Sequence, residues 1–263
     1  MSDQGRWLYA VADRGAAEDH AWLTGVAGVA GGEVRAVRSA GLTALVSDVD
    51  LGEFGAEALR RNLEDLRWLE EVAWAHHHVI EAASRHVSLL PIRLATVYGG
   101  DASVTAALVE RQREFTCALA QIRDRVEWGV KAYAAPANPV PAARASSASG
   151  TGSGSGTGMA YLKRRRDELA ANQDAQRDTT AGARAVYAEL AGHAAGARLH
   201  PPQSPQLRGS KAPMLLNAAY LVRRCDATSF AAAVASAANA HPELRLELTG
   251  PWPPYSFAGG DAW

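Results

Sequence analysis

The spacing of apolar residues predicts strands followed by a long helix in the first part of the chain. Residues 7–11 form a short apolar run typical of a β-strand, and residues 33–49 contain two β-rich runs that meet at a predicted hairpin turn, Ala40-Gly41. From residue 56 to 86 the apolar positions recur at helical spacing, which predicts one long amphipathic helix. Its predicted apolar face consists of Leu59, Leu63, Leu66, Leu69, Ala73 and Ile80.

The same half continues with a strand and a second helical region. Residues 89–98, with the sequence LLPIRLATVY, predict a strand that ends at Gly99-Gly100. A helix is then expected over 101–126, with Asp101 or Ser103 as its N-cap, because short polar side chains accept hydrogen bonds from the first helical amides.

In the second half, the pattern gives a recognisable order of elements. The predicted elements are a strand at 127–133, a helix over 159–195, a short strand near Arg198, a strand at 213–224, a helix at 228–240 and a strand at 243–249. This order is that of the split βαβ unit of a ferredoxin-like sandwich. We therefore predict an α+β fold of two domains, each a ferredoxin-like or modified ferredoxin-like antiparallel sheet with one face covered by helices.

The periodicity on either side of a composition shift sets the predicted domain limits. The first domain is expected to span 1–126, including the connecting helix over 101–126, and the second 127–263. A run rich in Pro, Gly and Ser at 135–157 predicts a flexible linker within the second domain. The last residues, 250–263, contain too many prolines and glycines for regular structure, which predicts an extended tail.

Charge and hydropathy narrow the classes of partner. The 263 residues carry a formal net charge of -1, so no long-range field draws the protein to nucleic acid or anionic lipid. No stretch approaches the roughly 18 apolar residues that a membrane-spanning helix needs. The first residues lack the basic and apolar regions of a signal peptide, so we expect a cytoplasmic protein.

The consecutive histidines His76, His77 and His78 are the first candidates for a metal site. Neighbouring helical side chains diverge by about 100°, so three in a row cannot close on one ion. Only His77 and Glu81 could form part of a site, and tetrahedral zinc needs further ligands. We expect no metal and interpret these histidines as a solvated or partly packed helix face.

Other motifs also lack the residues that catalysis or cofactor binding needs. The Gly-rich run at 150–158 is followed by Met159-Ala160 instead of the lysine and hydroxyl of a phosphate-binding loop. The basic run at 163–166 wraps around its helix, which is typical of a solvated face, although an acidic partner protein could also contact it. No nucleophile motif is present in the sequence. We expect no cofactor and no enzymatic activity.

Aromatic residues are interleaved with prolines in the tail, where Trp252, Tyr255 and Phe257 alternate with Pro251, Pro253 and Pro254. Prolines stiffen a chain, so little entropy is lost when its aromatic side chains dock. Two interpretations follow. Either the tail packs back across its own domain, or it presents aromatic anchors to another protein.

Five segments, in this order, resemble the GvpF/GvpL gas vesicle family: LPIRLATV at 90–97, EWGVK at 127–131, GMAYL at 158–162, LNAAYLV at 216–222 and LTGPWPPYSF at 248–257. The terminal GPWPPYSF is the most specific of them. Leu94-Ala95 departs from the pattern, because the family often has Phe-Gly there. The linker is also unusually long for the family.

The resemblance implies two α+β domains and a role in assembling gas vesicles, whose shell protein is small, very hydrophobic and prone to aggregate. The implied function is to bind that shell protein and keep it soluble, with other gas vesicle accessory proteins as further partners and the gas vesicle as a location. A purely structural minor component of the shell is one alternative. A small-molecule enzyme on a ferredoxin-like scaffold is another, since that fold hosts many chemistries.

The matching segments also supply the candidate structural and interaction residues. The end of the first domain's strand is expected at Pro91 and Arg93, and the start of the second domain at Trp128 and Lys131. Core or interdomain packing is expected of Tyr161, Leu162, Tyr220 and Leu221. The tail contributes Trp252, Pro253, Pro254 and Tyr255, of which Trp252 and Tyr255 are expected to matter most to a partner.

Overall fold

A computed structural model describes residues 3–13, 21–23, 25–135, 156–202 and 213–258. The predicted flexible linker over 135–157 lies outside these ranges except at its ends. Ala135 follows a strand, and residues 156 and 157 begin a helix, earlier than the helix predicted from 159.

The described residues of the first half form a five-stranded antiparallel sheet with five α-helices. Its elements are β1 (Gln4–Asp13), β2 (Arg35–Ser39), β3 (Leu42–Asp50), α1 (Leu51–Phe54), α2 (Ala56–Asn62), α3 (Leu66–Ser84), β4 (Leu89–Pro91), β5 (Val97–Tyr98), α4 (Asp101–Glu110) and α5 (Gln112–Ile122). The strands lie in the order β2-β3-β1-β4, and β5 also pairs with β1. The predicted hairpin between β2 and β3 is confirmed, and Ala40 and Gly41 both have positive φ.

In the second half, the part that the structure describes forms a four-stranded sheet with two α-helices. Its elements are β6 (Arg125–Ala134), α6 (Gly156–Gly192), β7 (Gly196–Leu199), β8 (Met214–Arg223), α7 (Ala227–Ala240) and β9 (Leu244–Trp252). The strand order is β7-β8-β6-β9. The first and third strands therefore lie side by side at the centre, as the ferredoxin-like arrangement requires. The predicted α+β fold class is confirmed.

The chain folds into two compact units. One unit comprises Met1–Trp128, Leu221–Cys225 and Gly250–Trp263, and the other comprises Gly129–Tyr220 and Asp226–Thr249. This division places the tail with the N-terminal half, whereas the sequence assigned 250–263 to the second domain. The predicted boundary between 126 and 127 stays a prediction.

The helix predicted over 56–86 is broken, because α2 ends at Asn62 and α3 begins at Leu66. The Asp65 carboxylate accepts hydrogen bonds from the amides of Arg67 and Trp68, which makes it the N-cap of a new helix. The predicted apolar face was therefore wrong in part. Leu66 is 79% exposed, and the buried residues of α3 are Val72, His76, Val79, Ile80 and Ala83.

The single strand predicted over 89–98 is also interrupted. β4 and β5 both pair with β1, while the residues between them leave the ladder. The Ile92 amide donates to the Tyr9 carbonyl, and the Leu8 amide donates to the Thr96 carbonyl, so this connection stays hydrogen-bonded to β1. The register of β1 against β3 shifts at the same place, between Leu8 and Ala10.

Helices cover both faces of the first sheet, which corrects the prediction of one covered face. Successive strand residues point to opposite faces. Trp7 contacts His76 of α3, whereas Leu8 lines a cavity together with Phe115 of α5. The helices α3 and α5 therefore pack on opposite sides of β1.

The N-cap of α4 is Gly100, not Asp101 or Ser103 as predicted. Asp101 instead accepts from Arg6 Nε at 2.5 Å and Arg35 Nη2 at 2.6 Å. Hydrogen bonds from Arg35 and, with a smaller effect, from Arg6 lower the pKa of Asp101 to about 2.

Among the described residues, no helix combines the length and apolar character needed to cross a lipid bilayer.

Candidate interaction surface on α3 and the C-terminal tail

His76 anchors the inner side of α3 to the first sheet. The Trp7 Nε1–H donates to His76 Nδ1 at 2.9 Å, and His76 Nε2 lies 3.0 Å from the Ile92 carbonyl oxygen. An indole nitrogen can only donate, so Nδ1 must be unprotonated and the imidazole proton resides on Nε2, which donates to Ile92. Burial lowers the pKa of His76 to about 4, so the ring is neutral at pH 7.

Aromatic packing reinforces these hydrogen bonds. The His76 ring stacks on Tyr9 with centroids 5.4 Å apart and meets the Trp7 ring edge-on at 5.9 Å. Tyr9 is itself fixed, because its hydroxyl lies 2.7 Å from Ser47 Oγ and accepts from the Val29 amide. These contacts set the rotation of α3 about its axis and thereby determine which residues point outward.

Trp74 and His78 lie on the outer side of α3, one helical turn apart. Their rings are parallel to within 2° with centroids 5.2 Å apart. Trp74 is nevertheless 69% exposed, because only one face of the indole is covered. This pair presents a large, flat aromatic group to the surroundings.

The C-terminal tail extends this aromatic group through His77. Tyr255 stacks on His77 with centroids 5.9 Å apart, and its hydroxyl lies 3.1 Å from His77 Nδ1. The Trp252 ring meets His77 edge-on at 5.9 Å. Trp252 stays 42% exposed and Tyr255 38% exposed. We call the set Trp74, His77, His78, Trp252 and Tyr255 the aromatic surface.

Glu127 holds the tail in this position. Its carboxylate accepts from the amide and from the hydroxyl of Ser256, both at 2.7 Å. Gly250, where the chain enters the tail, has a φ of +117°, and a Cβ there would lie 2.8 Å from the Glu127 carbonyl oxygen. Only glycine fits this bend without strain.

The tail is more regular than its composition suggested. β9 continues through Pro251 to Trp252, and residues Tyr255–Phe257 form a 3-10 turn. Pro253, Pro254 and Phe257 are buried. Residues 250–258 of the tail thus pack on the protein, as one interpretation of the sequence expected, while Trp252 and Tyr255 keep exposed surface, as the other required. The rest of the predicted tail, 259–263, lies outside the described residues.

Burial raises the pKa of the Tyr255 hydroxyl, and the negative charges of Glu127 and Glu81 raise it further. The phenol therefore stays protonated and able to donate a hydrogen bond to His77.

The described residues contain no group of three or more His, Cys, Asp or Glu side chains arranged to hold a metal ion. His77, which with Glu81 could have supplied only part of a metal site, contacts Tyr255 of the tail.

The remaining candidate residues belong to several different elements of the fold. Pro91 is buried at the end of β4, Arg93 is exposed just beyond it, and Trp128 and Lys131 are half-buried in β6. Tyr220 and Leu221 are buried in β8.

Tyr161 and Leu162 were predicted to pack in a core or between domains, and that prediction was wrong. They are 65% and 64% exposed. All side chains described between residues 159 and 178 of α6 are exposed. The packed part of this helix begins later, with Ala183, Val186 and Leu190.

Sequence reasoning missed Trp74 and the buried role of His76. The spacing of Trp74 and His78, four residues apart on a predicted helix, was the available signal for the first. No local signal marked His76, because its partner Trp7 lies 69 residues away.

Comparison with known proteins identifies the family. Residues 5–259 match the family described as gas vesicle synthesis protein GvpL/GvpF. Gas vesicle protein L of Streptomyces sp. (strain CB03234) is 38% identical over 235 residues, which cover 89% of this chain and 86% of that protein. Gas vesicle protein F of the same strain is 31% identical over 228 residues, covering 85% and 87%.

Solved structures agree with the fold. The crystal structure of GvpF from Anabaena sp. PCC7120 superposes with a TM-score of 0.66 at 19% identity, covering 98% of this chain and 97% of that one. GvpF from Microcystis aeruginosa gives a TM-score of 0.65 at 18% identity, covering 97% and 99%. These matches confirm the resemblance seen in the five sequence segments, and the chain belongs to the GvpL/GvpF family of gas vesicle synthesis proteins.

Proposed function

We propose that this protein binds the small hydrophobic shell protein of the gas vesicle through the aromatic surface and keeps it soluble for assembly. Membership of the GvpL/GvpF family supports a role in gas vesicle formation and interaction with other gas vesicle proteins. The choice of partner and surface is the proposal. The observation that carries it is a set of exposed aromatic rings whose positions are fixed by the contacts of His76 and Glu127.

The chemistry of the surface suits an apolar partner. Trp and Tyr supply large contact areas with few rotatable bonds, and they dominate the energetics of many protein interfaces. Trp74 and Trp252 keep 69% and 42% of their area exposed, so much of each ring remains to be covered. The near-neutral net charge leaves apolar contact and shape as the means of recognition.

The aromatic surface also favours binding because its residues are already held in place before a partner docks. His76 fixes the rotation of α3, and Glu127 fixes the turn that carries Tyr255. A partner that docks here loses little of its binding free energy to ordering the surface. In this proposal no bond is made or broken, and the protein acts by covering apolar area.

Co-expression tests this proposal directly. The shell protein is produced alone, with the wild-type protein, and with a triple variant Trp74→Ala, Trp252→Ala, Tyr255→Ala. We expect the wild type to raise the soluble fraction of shell protein. The triple variant is expected to weaken complex formation by at least about tenfold, since a single interface hot spot is worth about 2 kcal/mol or more.

A matched control carries Val109→Ala and Leu199→Ala, which remove exposed apolar side chains outside the aromatic surface. This control should solubilise the shell protein as well as wild type does. Circular dichroism and thermal unfolding verify that each variant is folded. The proposal fails if the shell protein is equally soluble with and without the wild-type protein, or if folded triple variant and wild type act alike.

A further inference from the structure

A small cavity opens on the other side of the first sheet from α3, and the proposed function does not use it. Its volume is about 190 Å³. Leu8, Ile92 and Phe115 form an apolar floor, and each is at most 6% exposed. Arg93, Tyr98 and Arg111 contribute polar groups to its lining.

The cavity exists because the strand predicted over 89–98 is interrupted. Between β4 and β5 the chain leaves the ladder, although Ile92 and Thr96 remain hydrogen-bonded to β1. Leu94 and Ala95 form a turn, in which Ala95 has a φ of +64°, and the chain then continues in the same direction along β1. The side chain of Ile92 therefore reaches the floor while that of Arg93 stays exposed.

The two arginines differ in how firmly they are held. Arg111 donates from Nε and Nη2 to the Glu114 carboxylate at 2.9 and 3.0 Å, and its guanidinium lies 5.1 Å from the centroid of the Phe115 ring. Its position is fixed and its charge is partly balanced. The guanidinium of Arg93 makes no hydrogen bond or ion pair within the described ranges, and it is exposed. Arg93 thus places a positive charge beside the apolar floor of the cavity.

The volume restricts the occupant. Pockets for drug-sized molecules measure about 300–1,000 Å³, so a cavity of about 190 Å³ is too small for most of them. One large aliphatic or aromatic side chain is of the right order. Such a side chain would cover Leu8, Ile92 and Phe115, and a carboxylate next to it would lie within reach of the Arg93 guanidinium.

We propose that this cavity binds a segment of a partner protein in which a large apolar side chain lies next to a carboxylate. The apolar side chain fills the cavity, and Arg93 forms a charge-assisted pair with the carboxylate. The carboxylate belongs either to an Asp or Glu side chain or to the C-terminus of the partner. This site is independent of the aromatic surface, so either proposal can fail alone.

Three short peptides separate the possibilities. Acetyl-Gly-Gly-Asp-Leu-amide carries a side-chain carboxylate, and acetyl-Gly-Gly-Ala-Leu with a free C-terminus carries a terminal one. Acetyl-Gly-Gly-Asn-Leu-amide carries neither. Each is titrated to millimolar concentration into the full chain labelled with ¹³C at Leu and Ile methyl groups, because one side chain and one exposed ion pair give affinities of that order.

We expect one or both carboxylate peptides to shift the methyl resonances of Leu8 and Ile92 in a saturable manner, and the Asn peptide to bind at least about fivefold more weakly, as loss of one charged hydrogen bond predicts. Binding by only one of the two carboxylate peptides assigns the source of the carboxylate. Equal affinities for the two carboxylate peptides mean that the site binds a side-chain and a terminal carboxylate alike.

The variant Arg93→Gln removes the charge of an exposed side chain and should leave the fold unchanged, which the methyl spectrum itself reports. This variant should bind the carboxylate peptides only as weakly as the wild-type protein binds the Asn peptide. Arg60→Gln, which alters an exposed arginine outside the cavity, is the matched control and should bind as wild type does. The proposal is overturned if neither carboxylate peptide shifts Leu8 and Ile92, or if Arg93→Gln binds them as tightly as wild type.

Discussion

His76 and His78 are two residues apart on α3, yet their surroundings have little in common. The His76 ring is 3% exposed, both of its nitrogens are hydrogen-bonded, and aromatic rings cover it. The His78 ring lies outside, stacked on an indole that is itself mostly exposed. Each residue of a helix turns the direction of its side chain by about 100°, so two positions suffice to move from core to surface.

The difference shows how one helix serves two purposes. The inner side of α3 satisfies its polar groups within the protein, so changes there should appear in stability. The outer side leaves aromatic area uncovered, so changes there should appear in binding. Substitutions of equal size on the two sides ought therefore to have unequal effects on the free energy of unfolding.

The variant His76→Ala should show the largest effect. It removes a buried ring and leaves the Trp7 indole N–H and the Ile92 carbonyl without this partner. We expect the free energy of unfolding to fall by about 4 kcal/mol, as for other buried aromatic truncations. Urea denaturation followed by circular dichroism measures this change.

The control His78→Ala removes the same ring from the outer side and should change stability by less than about 0.5 kcal/mol. Equal losses in the two variants would remove the distinction between the sides of α3.

The pH dependence of stability tests the neutral state of His76. Its pKa is 6.5 in the unfolded chain and about 4 in the folded protein. Between these values the unfolded state binds the proton more readily, so this contribution to stability is complete above pH 6.5 and declines as pH falls toward 4. The shift corresponds to about 3 kcal/mol.

Comparison with His76→Phe isolates this contribution from the other histidines. The stability difference between wild type and variant should shrink by about 3 kcal/mol from pH 7 to pH 4, since the variant has no imidazole to protonate at this position. A difference that stays constant across this pH range would show that the His76 proton is not bound as described.

The smallest effect is expected on the outer side, for Tyr255→Phe. The change removes the hydroxyl next to His77 Nδ1 but keeps the ring that stacks on His77. We expect a loss of about 0.5–1 kcal/mol, typical of one neutral hydrogen bond, by urea denaturation. A loss as large as that of His76→Ala would mean that the tail contributes to the core of the protein and does more than complete its surface.

Much of the fold followed from local patterns. The β2–β3 hairpin and the order of elements in the ferredoxin-like sheet were predicted because hydrophobic period and turn residues act over short distances. The break between α2 and α3 could also have been read locally, since Asp65 is a favoured N-cap residue. The apolar positions continue at helical spacing across this break, so their spacing alone predicted a single helix.

The candidate sites depended on long-range contacts that local patterns do not encode. Trp7 and His76 are 69 residues apart, and His77 and Tyr255 are 178 residues apart. The cavity arises from an interrupted pairing against β1, which the apolar run at 89–98 does not reveal. The tail aromatics were identified from their composition, whereas their neighbours on α3 required the structure.

The packing of the tail on α3 also has a consequence for the order in which the surface is made. Ribosomes build chains from the N-terminus at about 5–20 residues per second, and early segments begin to fold first. Trp74 and His77 emerge long before Trp252 and Tyr255, with β6, β7 and β8 of the ferredoxin-like sheet synthesised in between. A nascent chain therefore lacks a complete aromatic surface until translation has passed residue 255, and a fragment ending after the first sheet would never acquire one.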